Sequence, residues 1–449
     1  MADGERSFGW LGIVRLGLVQ AALGAIVVMT TSTLNRVMVV ELALPAMLPG
    51  ALVAWHYAVQ ILRPRLGYGS DRGRRRTPWI LGGMAVLALG GVLAALATAW
   101  MATDPLSGAL LGIVAFTLVG LGVGACGTAL LVLLSKRVEA GRRAAAATVL
   151  WLTMIVGFVV TTALAGQFLD PFSPERLVVV TACVAAAAMA LSLIALAGLE
   201  GRSVAEPPGA PDLEPPPVAF REALTQVWAE PQARRFTVFI FAAMLAYSAQ
   251  DLILEPFAGT VFGLTPGEST RLGSAQHGGA FLGMLLLGLL GSTAWGRRLG
   301  SLRHWTMVGC VASALALFAL AAGGLQGPGF ALRETVFVLG LANGVFAVAA
   351  IGSMMELVGS GRAQREGVRM GLWGAAQAIA IGLGGFLGTL GIDLMRWLLG
   401  SAAEAYALVF AAEAVLFLVS AALAAWVARP ASGRDEPEIP MPDAAVETA

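Results

Sequence analysis

Arg63-Pro-Arg-Leu-Gly-Tyr-Gly-Ser-Asp71-Arg72-Gly73-Arg74-Arg75-Arg76-Thr-Pro78-Trp79 packs six arginines into one short turn, with long apolar runs on both sides. About 20 apolar residues suffice for a helix to cross a bilayer, and the runs near Leu48–Leu66 and Trp79–Trp100 have that length. Cationic residues stay on the side of the membrane that is not translocated. The turn therefore reads as a cytoplasmic connection between the second and third membrane helices, and it sets the orientation of every span around it.

Composition agrees. The chain has 449 residues, 57% hydrophobic and 13% charged, too few polar groups to cover a water-facing surface, so the expected class is an all-α polytopic membrane protein. Its 29 cationic residues, all arginine except Lys136, fall mainly in alternate hydrophilic gaps, as the positive-inside rule requires of a many-helix bundle. That distribution offers no nucleic-acid surface. Cys126, Cys183 and Cys310 stand alone in apolar runs without metal or redox spacing and read as small core residues. No nucleophile–base constellation or cofactor motif suggests an enzyme, and no intrinsic cofactor is expected. The N-terminus lacks a convincing cleavage site and reads as an uncleaved first helix.

Outward from the arginine turn, further spans are expected near Ile13–Leu34, Ser107–Leu134, Ala144–Phe168 and Leu177–Leu199, completing six in the first half. Residues 200–235 include Glu-Pro-Pro-Gly-Ala-Pro-Asp-Leu-Glu-Pro-Pro-Pro, too polar and proline-rich for a buried helix, and form a cytoplasmic linker. Within it Phe220, Leu224 and Trp228 recur at helical spacing, as in a surface helix or a lead-in to helix seven. The second half holds spans near Phe236–Phe257, Leu272–Trp295, Trp305–Leu325, Leu332–Val358, Val368–Leu390 and Tyr406–Val427. The expected domains are thus 1–199 and 236–428, followed by a disordered tail over 429–449, with both termini cytoplasmic. The halves repeat in parallel: Gly73-Arg74-Arg75 answers Gly296-Arg297-Arg298, and Gly141-Arg142 with Leu150-Trp151 answers Gly361-Arg362 with Leu372-Trp373. Twelve transmembrane helices in two parallel six-helix repeats define the major facilitator fold, whose pathway runs between the halves.

Ionisable and strongly polar groups inside spans are the functional candidates, because a bilayer makes them costly. His56 lies in helix two with Gln60 one turn on, and His277 lies in helix eight beside Gln276, at nearly matching places in the repeats. Either histidine could bond a neighbouring carbonyl or ligate a metal ion through its free nitrogen. Asp251 and Glu255 are four apart on one face of helix seven, and Asn35, Arg36 and Glu41 follow the outer end of helix one. A pair between Arg36 and Glu255 or Asp251 would neutralise the acids and close the outer side of the cavity; a plain interfacial salt bridge is the alternative. Glu413 in helix twelve suggests at most a partner contact. Gly120/Gly124 and Gly384/Gly388 allow close helix approach or a flat wall for a planar ligand.

Two resemblances sharpen this reading. Gly67-x-x-x-Asp71-Arg72 followed by Gly-Arg-Arg resembles the loop between helices two and three of major facilitator transporters, although Gly73 follows the Asp-Arg pair one residue early. The resemblance implies that Asp71, Arg72 and Arg75 gate the rocking of the halves from the cytoplasmic side. Helix four lacks the buried arginine of proton-coupled members and helix five lacks the Gly-Pro signature of antiporters. More specifically, Leu16-Gly-Leu-Val-Gln20-x-x-Leu-Gly24, Thr33-Leu-Asn35-Arg36-Val-Met-Val-Val-Glu41, Arg76-Thr-Pro-Trp-Ile and Asp251-x-x-Leu-Glu255-Pro-Phe resemble the PucC/LhaA-type bacteriochlorophyll delivery family across all twelve spans. That likeness implies bacteriochlorophyll or a precursor as ligand, light-harvesting polypeptides or pigment-synthesis enzymes as partners, and a place in the inner membrane of a phototrophic bacterium. His56 or His277, with Gln60 and Gln276 nearby, would then hold the pigment magnesium. An ion-coupled transporter of a small metabolite, with Asp251 and Glu255 as coupling groups, and a pigment-free assembly scaffold remain alternatives.

Overall fold

The computed structural model describes residues 8–62, 75–139, 142–200, 225, 228–292, 298, 300–360 and 366–427. Among these the chain forms twelve helices and no strand: α1 (Trp10–Glu41), α2 (Met47–Leu62), α3 (Thr77–Met101), α4 (Pro105–Arg137), α5 (Arg143–Phe168), α6 (Pro174–Leu196), α7 (Pro231–Phe262), α8 (Pro266–Ser292), α9 (Leu302–Gln326), α10 (Leu332–Ser360), α11 (Glu366–Leu399) and α12 (Ala402–Val427). Eleven are long and apolar enough to cross a membrane; α2 is apolar but shorter. Large apolar side chains stay exposed on the outside, Leu11, Ile194 and Trp397 among them, as they must where the surrounding medium is hydrocarbon. The linker over 201–224, the tail from residue 428, and the landmarks Gly73, Gly141, Gly296 and Gly361 lie outside the described residues.

Helix starts follow local chemistry. Asp104 accepts from the N–H groups of Leu106 (3.2 Å) and Ser107 (3.3 Å), Ser173 accepts from Arg176 N–H at 3.1 Å, and proline occupies the first turn of α3, α4, α6 and α7, where its missing N–H costs nothing. Gly263 closes α7 in the left-handed region at φ 69°, a conformation an L side chain would strain.

Packing in one half is reproduced in the other. α1 packs on α5 as α7 packs on α11; α2 on α4 as α8 on α10; α3 on α4 as α9 on α10; α3 on α6 as α9 on α12. Each half has its own apolar core, one around Leu16, Met84 and Leu130, the other around Phe239, Leu317 and Phe410. Because lipid is as apolar as leucine, such helices associate through close packing. Gly90 of α3 would place a Cβ 2.8 Å from Val119 N of α4, and Gly309 of α9 one 2.7 Å from Phe346 N of α10. The halves meet along two matching seams, α5 with α8 and α2 with α11.

Three helices, α1, α7 and α11, run well past the C-terminal ends that the sequence reading gives them. α1 continues to Glu41 rather than ending near Leu34, through π-helical turns at Met29–Thr33 and Val37–Glu41, and it does so because Val37, Met38 and Val39 remain buried. Asn35, Arg36 and Glu41 therefore belong to α1 instead of following it. α7 passes Pro256 to end at Phe262, and α11 reaches Leu399, so Asp393 lies inside it. Cys126 and Cys310 are buried as expected; Cys183 is exposed.

Candidate functional site

α1 and α7 meet near the end of the bundle opposite the start of α1 and the end of α12, here the distal end, and bring their polar residues together there. Arg36 is 1% exposed and Glu255 3%. Arg36 does not pair with Glu255 or Asp251; it forms an ion pair with Glu41 of its own helix and donates through Nη2 to Leu264 O at 2.6 Å. The π-helical register explains the difference, since its wider i→i+5 turns bring residues five apart near one another. The carbonyl of Leu264 belongs to the other half, so Arg36 links the halves through backbone rather than through an acid. Asn35 adds a second link by donating to Leu252 O.

The α7 acids find neutral donors. Ser32 Oγ donates to Glu255 Oε1 at 2.7 Å across the halves, and Thr33 and Thr270 hydroxyls lie 3.4 Å apart beside it. Gln276 donates to Asp251 at 3.3 Å. One turn apart on α7, the two acids thus have different partners: Asp251 has Gln276 of α8, and Glu255 has Ser32 of α1 with Gly273 of α8 close beside its Oε1.

The histidines have different surroundings. Buried His56 on α2 shares a 2.9 Å hydrogen bond with Gln60 and sets its ring against Tyr57 at 4.8 Å. His277 on α8 lies 5.0 Å from the ring of Phe158 on α5. Their sequence positions nearly match, but their neighbours do not: His56 is held by residues of its own helix on the side of α2 that faces α4, whereas His277 meets Phe158 of the other half. No group of three His, Cys, Asp or Glu that could hold a metal ion exists among the described residues.

Two aspartates that the sequence reading passed over complete the distal end. Asp393 of α11 accepts the backbone N–H groups of Ala46 (2.9 Å) and Met47 (2.7 Å), at the start of α2. Asp170, just beyond α5, accepts from Thr265 Oγ1 (2.7 Å) and Gly267 N–H (3.1 Å), at the start of α8. Each carboxylate sits on the free N–H groups and positive dipole end of a helix from the opposite half. Comparing the halves would have found them, since Asp170 and Asp393 occupy equivalent repeat positions.

At the other end of the bundle Glu200, beyond α6, receives Arg76 N–H (2.6 Å), Thr77 N–H (2.8 Å) and Thr77 Oγ1 (2.7 Å), tying it to the start of α3. Partial burial pushes the Glu200 carboxyl up, but these hydrogen bonds and the Arg137 charge outweigh it and hold the carboxyl below its ordinary value. Asp71 and Arg72 lie outside the described residues; Arg75 is exposed.

In chemical terms the arrangement is a closed distal end. It is latched by backbone-directed hydrogen bonds between two similar halves, with acids and amides buried behind the latch.

Known proteins place this geometry. The family described as PUCC protein matches residues 33–432. A protein named "Bacteriochlorophyll synthase 44.5 kDa chain" from Rhodobacter capsulatus is 54% identical over 421 residues, covering 94% of this chain and 96% of its own. "Protein PucC" of Rhodovulum sulfidophilum is 29% identical over 412 residues, covering 86% and 85%. Among solved structures, the nucleoside transporter NupG superposes with a TM-score of 0.68 at 13% identity, covering 93% of this chain and all of its own, a likeness that establishes the major facilitator fold and nothing further. A multi-span membrane protein of that fold, matched by the family over most of its length, this chain belongs to the PucC family.

Proposed function

We propose that this protein receives bacteriochlorophyll, or a late precursor, and delivers it to light-harvesting polypeptides during assembly of photosynthetic complexes, without catalysing a reaction itself. The observation that carries the reading is the 54% identity across nearly the whole chain to a protein named for bacteriochlorophyll synthesis. The geometry supports it. Most buried hydroxyls donate to backbone carbonyls of their own helices, as Thr98 and Thr181 do, and the α7 acids receive Ser32 and Gln276, so these groups are already engaged and not free to solvate a water-soluble substrate. The outer surface and cavity walls are apolar and glycine-rich, which suits a flat ligand with a hydrocarbon tail. In this reading the arginine turn and both termini face the cytoplasm of the bacterial inner membrane. His56 and His277 are the imidazoles within the spans and so the histidine candidates for the pigment magnesium.

Affinity purification from a phototrophic membrane in mild detergent, followed by absorption spectroscopy, tests this. Near-stoichiometric bacteriochlorophyll is expected, and His56→Leu or His277→Leu should lower it with melting unchanged if that histidine is an axial ligand. Protein that never carries pigment but captures antenna polypeptides would replace the reading with a scaffold. Gradient-driven uptake of a soluble metabolite in proteoliposomes, abolished by Asp251→Asn, would replace it with a transporter.

A further inference from the structure

We propose that the cleft between α7, α11 and α12 is a bilayer-facing binding site for a magnesium chlorin, with the carboxylate of Glu413 as the axial ligand to the metal. The proposal rests on the pigment-handling reading above and gives it a place and a ligand.

The cleft measures about 460 Å³, within the usual range for small-molecule sites. One wall is the strip Gly384, Gly388 and Gly391 of α11, which presents backbone without side chains; Ala249 of α7 continues it. At the rim Leu387 and Leu408 are each 49% exposed, so the opening faces the hydrocarbon around the bundle rather than the space between the halves. The result is a flat apolar slot reached sideways from the membrane.

Glu413 also lines this slot. It is only 5% exposed, and neither carboxylate oxygen has a hydrogen-bond partner among the described residues. The charged group within electrostatic reach is Asp251 of α7, another acid, so the surroundings repel its charge instead of compensating it. A carboxylate buried without a donor or cation is unfavourable unless an occupant supplies one. Packing does not demand the acid either: counted from the serines that start the two helices, Ser173 and Ser401, the matching position of α6 is the buried Ala185, and α6 holds no acidic residue after Glu175.

The α3–α4 cleft supplies the contrast. It is about 500 Å³, and its lining, which includes Pro78, Trp79, Gly82 and Leu118, contains no ionisable residue; it suits an acyl chain and nothing more specific. The Glu413 cleft therefore calls for a flat apolar body with one electropositive centre. Magnesium is a hard cation that prefers oxygen ligands, and in a chlorin it is held in the ring plane with an axial position open. The hydrocarbon tail of such a pigment would leave past Leu387 and Leu408 into the bilayer.

The test uses the full chain in lipid nanodiscs, titrated separately with bacteriochlorophyll a and with its magnesium-free counterpart, bacteriopheophytin a. Glu413→Leu should weaken binding of the magnesium pigment at least tenfold while leaving the magnesium-free pigment unchanged. Ala412→Phe, which fills the slot, should weaken both, and Val419→Phe, on the lipid face of α12 outside the slot, neither. Glu413→Gln keeps the shape and covers the case in which Leu does not fold. Wild-type protein that binds the magnesium pigment undiminished by Glu413→Gln and Ala412→Phe would overturn this site while leaving the pigment function standing. Wild-type protein that binds neither pigment overturns both.

Discussion

Replacing Asp170 and Asp393 with alanine should unlatch the distal end. Each carboxylate accepts two hydrogen bonds at the start of a helix in the other half: Asp393 at 2.9 and 2.7 Å, Asp170 at 2.7 and 3.1 Å. A lost helix cap costs about 0.5–2 kcal/mol, and hydrogen bonds to a charged group contribute about 1.5–3 kcal/mol. Met47 is 41% exposed, so water replaces part of what is removed, and about 1.5 kcal/mol per latch is reasonable. The two latches lie on separate seams and share no partner, so their effects should add to about 3 kcal/mol. At about 1.4 kcal/mol per factor of ten, the ratio of distally open to distally closed molecules rises roughly tenfold in each single variant and about a hundredfold in the double.

Hydrogen exchange reads this directly, because Met47 and Gly267 amides lose their acceptors and should exchange faster, each in its own single variant and both in the double. Spin-label distances between the α1–α2 and α7–α8 turns should acquire a longer component that grows in the same order. Asp170→Asn and Asp393→Asn keep an acceptor oxygen without the charge and should fall between wild type and alanine. If the double alanine variant keeps both the exchange rates and the distance distribution of wild type, the carboxylates do not hold the halves together.

Glu41→Gln removes the charge paired with buried Arg36; because Glu41 is 29% exposed, the cost should be about 2 kcal/mol, below the usual figure for breaking a fully buried pair, and Glu255→Gln should leave the Arg36 contacts unchanged in a thermal-melting comparison. Gly259→Ala would set a Cβ 2.9 Å from Arg36 Nη2 and should lower the melting temperature, an effect relieved when Arg36→Ala is combined with it. Glu200 has its carboxyl held below the ordinary 4.5; its contribution is therefore present above that value and lost as pH falls through the lower folded value, so melting of wild type but not of Glu200→Gln should carry this acid-side step.

The membrane class, the twelve helices and the parallel repeat were legible because they depend on long apolar runs and on where arginines interrupt them, signals that survive without tertiary knowledge. The meeting of α1 and α7 through polar residues was legible for the same reason: few polar groups occur in the spans, and each needs a partner. The choice of partner was not. Arg36 had three acids within plausible reach in the sequence, and a local change from α- to π-helical register decided among them. Asp170 and Asp393 were hidden differently, since an aspartate near a turn is unremarkable until the helix start it caps, from the other half, is known. The Glu413 cleft required three helices remote in sequence to be placed side by side.

Repeat symmetry separates scaffold from specialisation at the distal end. Ser32 and Glu255, bonded to each other, lie on α1 and α7, the matching first helices of the two halves. Arg36 and Gly259 meet one turn further along the same two helices, with the guanidinium occupying the space a side chain at Gly259 would need. Matching helices of a two-fold repeat meet beside the axis that relates the halves, so these two pairs lie next to that axis. A strictly repeated chain would bring like residues near one another there; two arginines would repel at close range with little water between them. The halves have diverged into complementary partners instead: hydroxyl to carboxylate, guanidinium to vacant space. The latches at Asp170 and Asp393, off the axis, kept their symmetry because each meets a helix start rather than its own equivalent. Divergence is thus favoured where the halves meet beside the axis, and such pressure is absent at Glu413, whose acid departs from Ala185 without any partner across the axis to demand it.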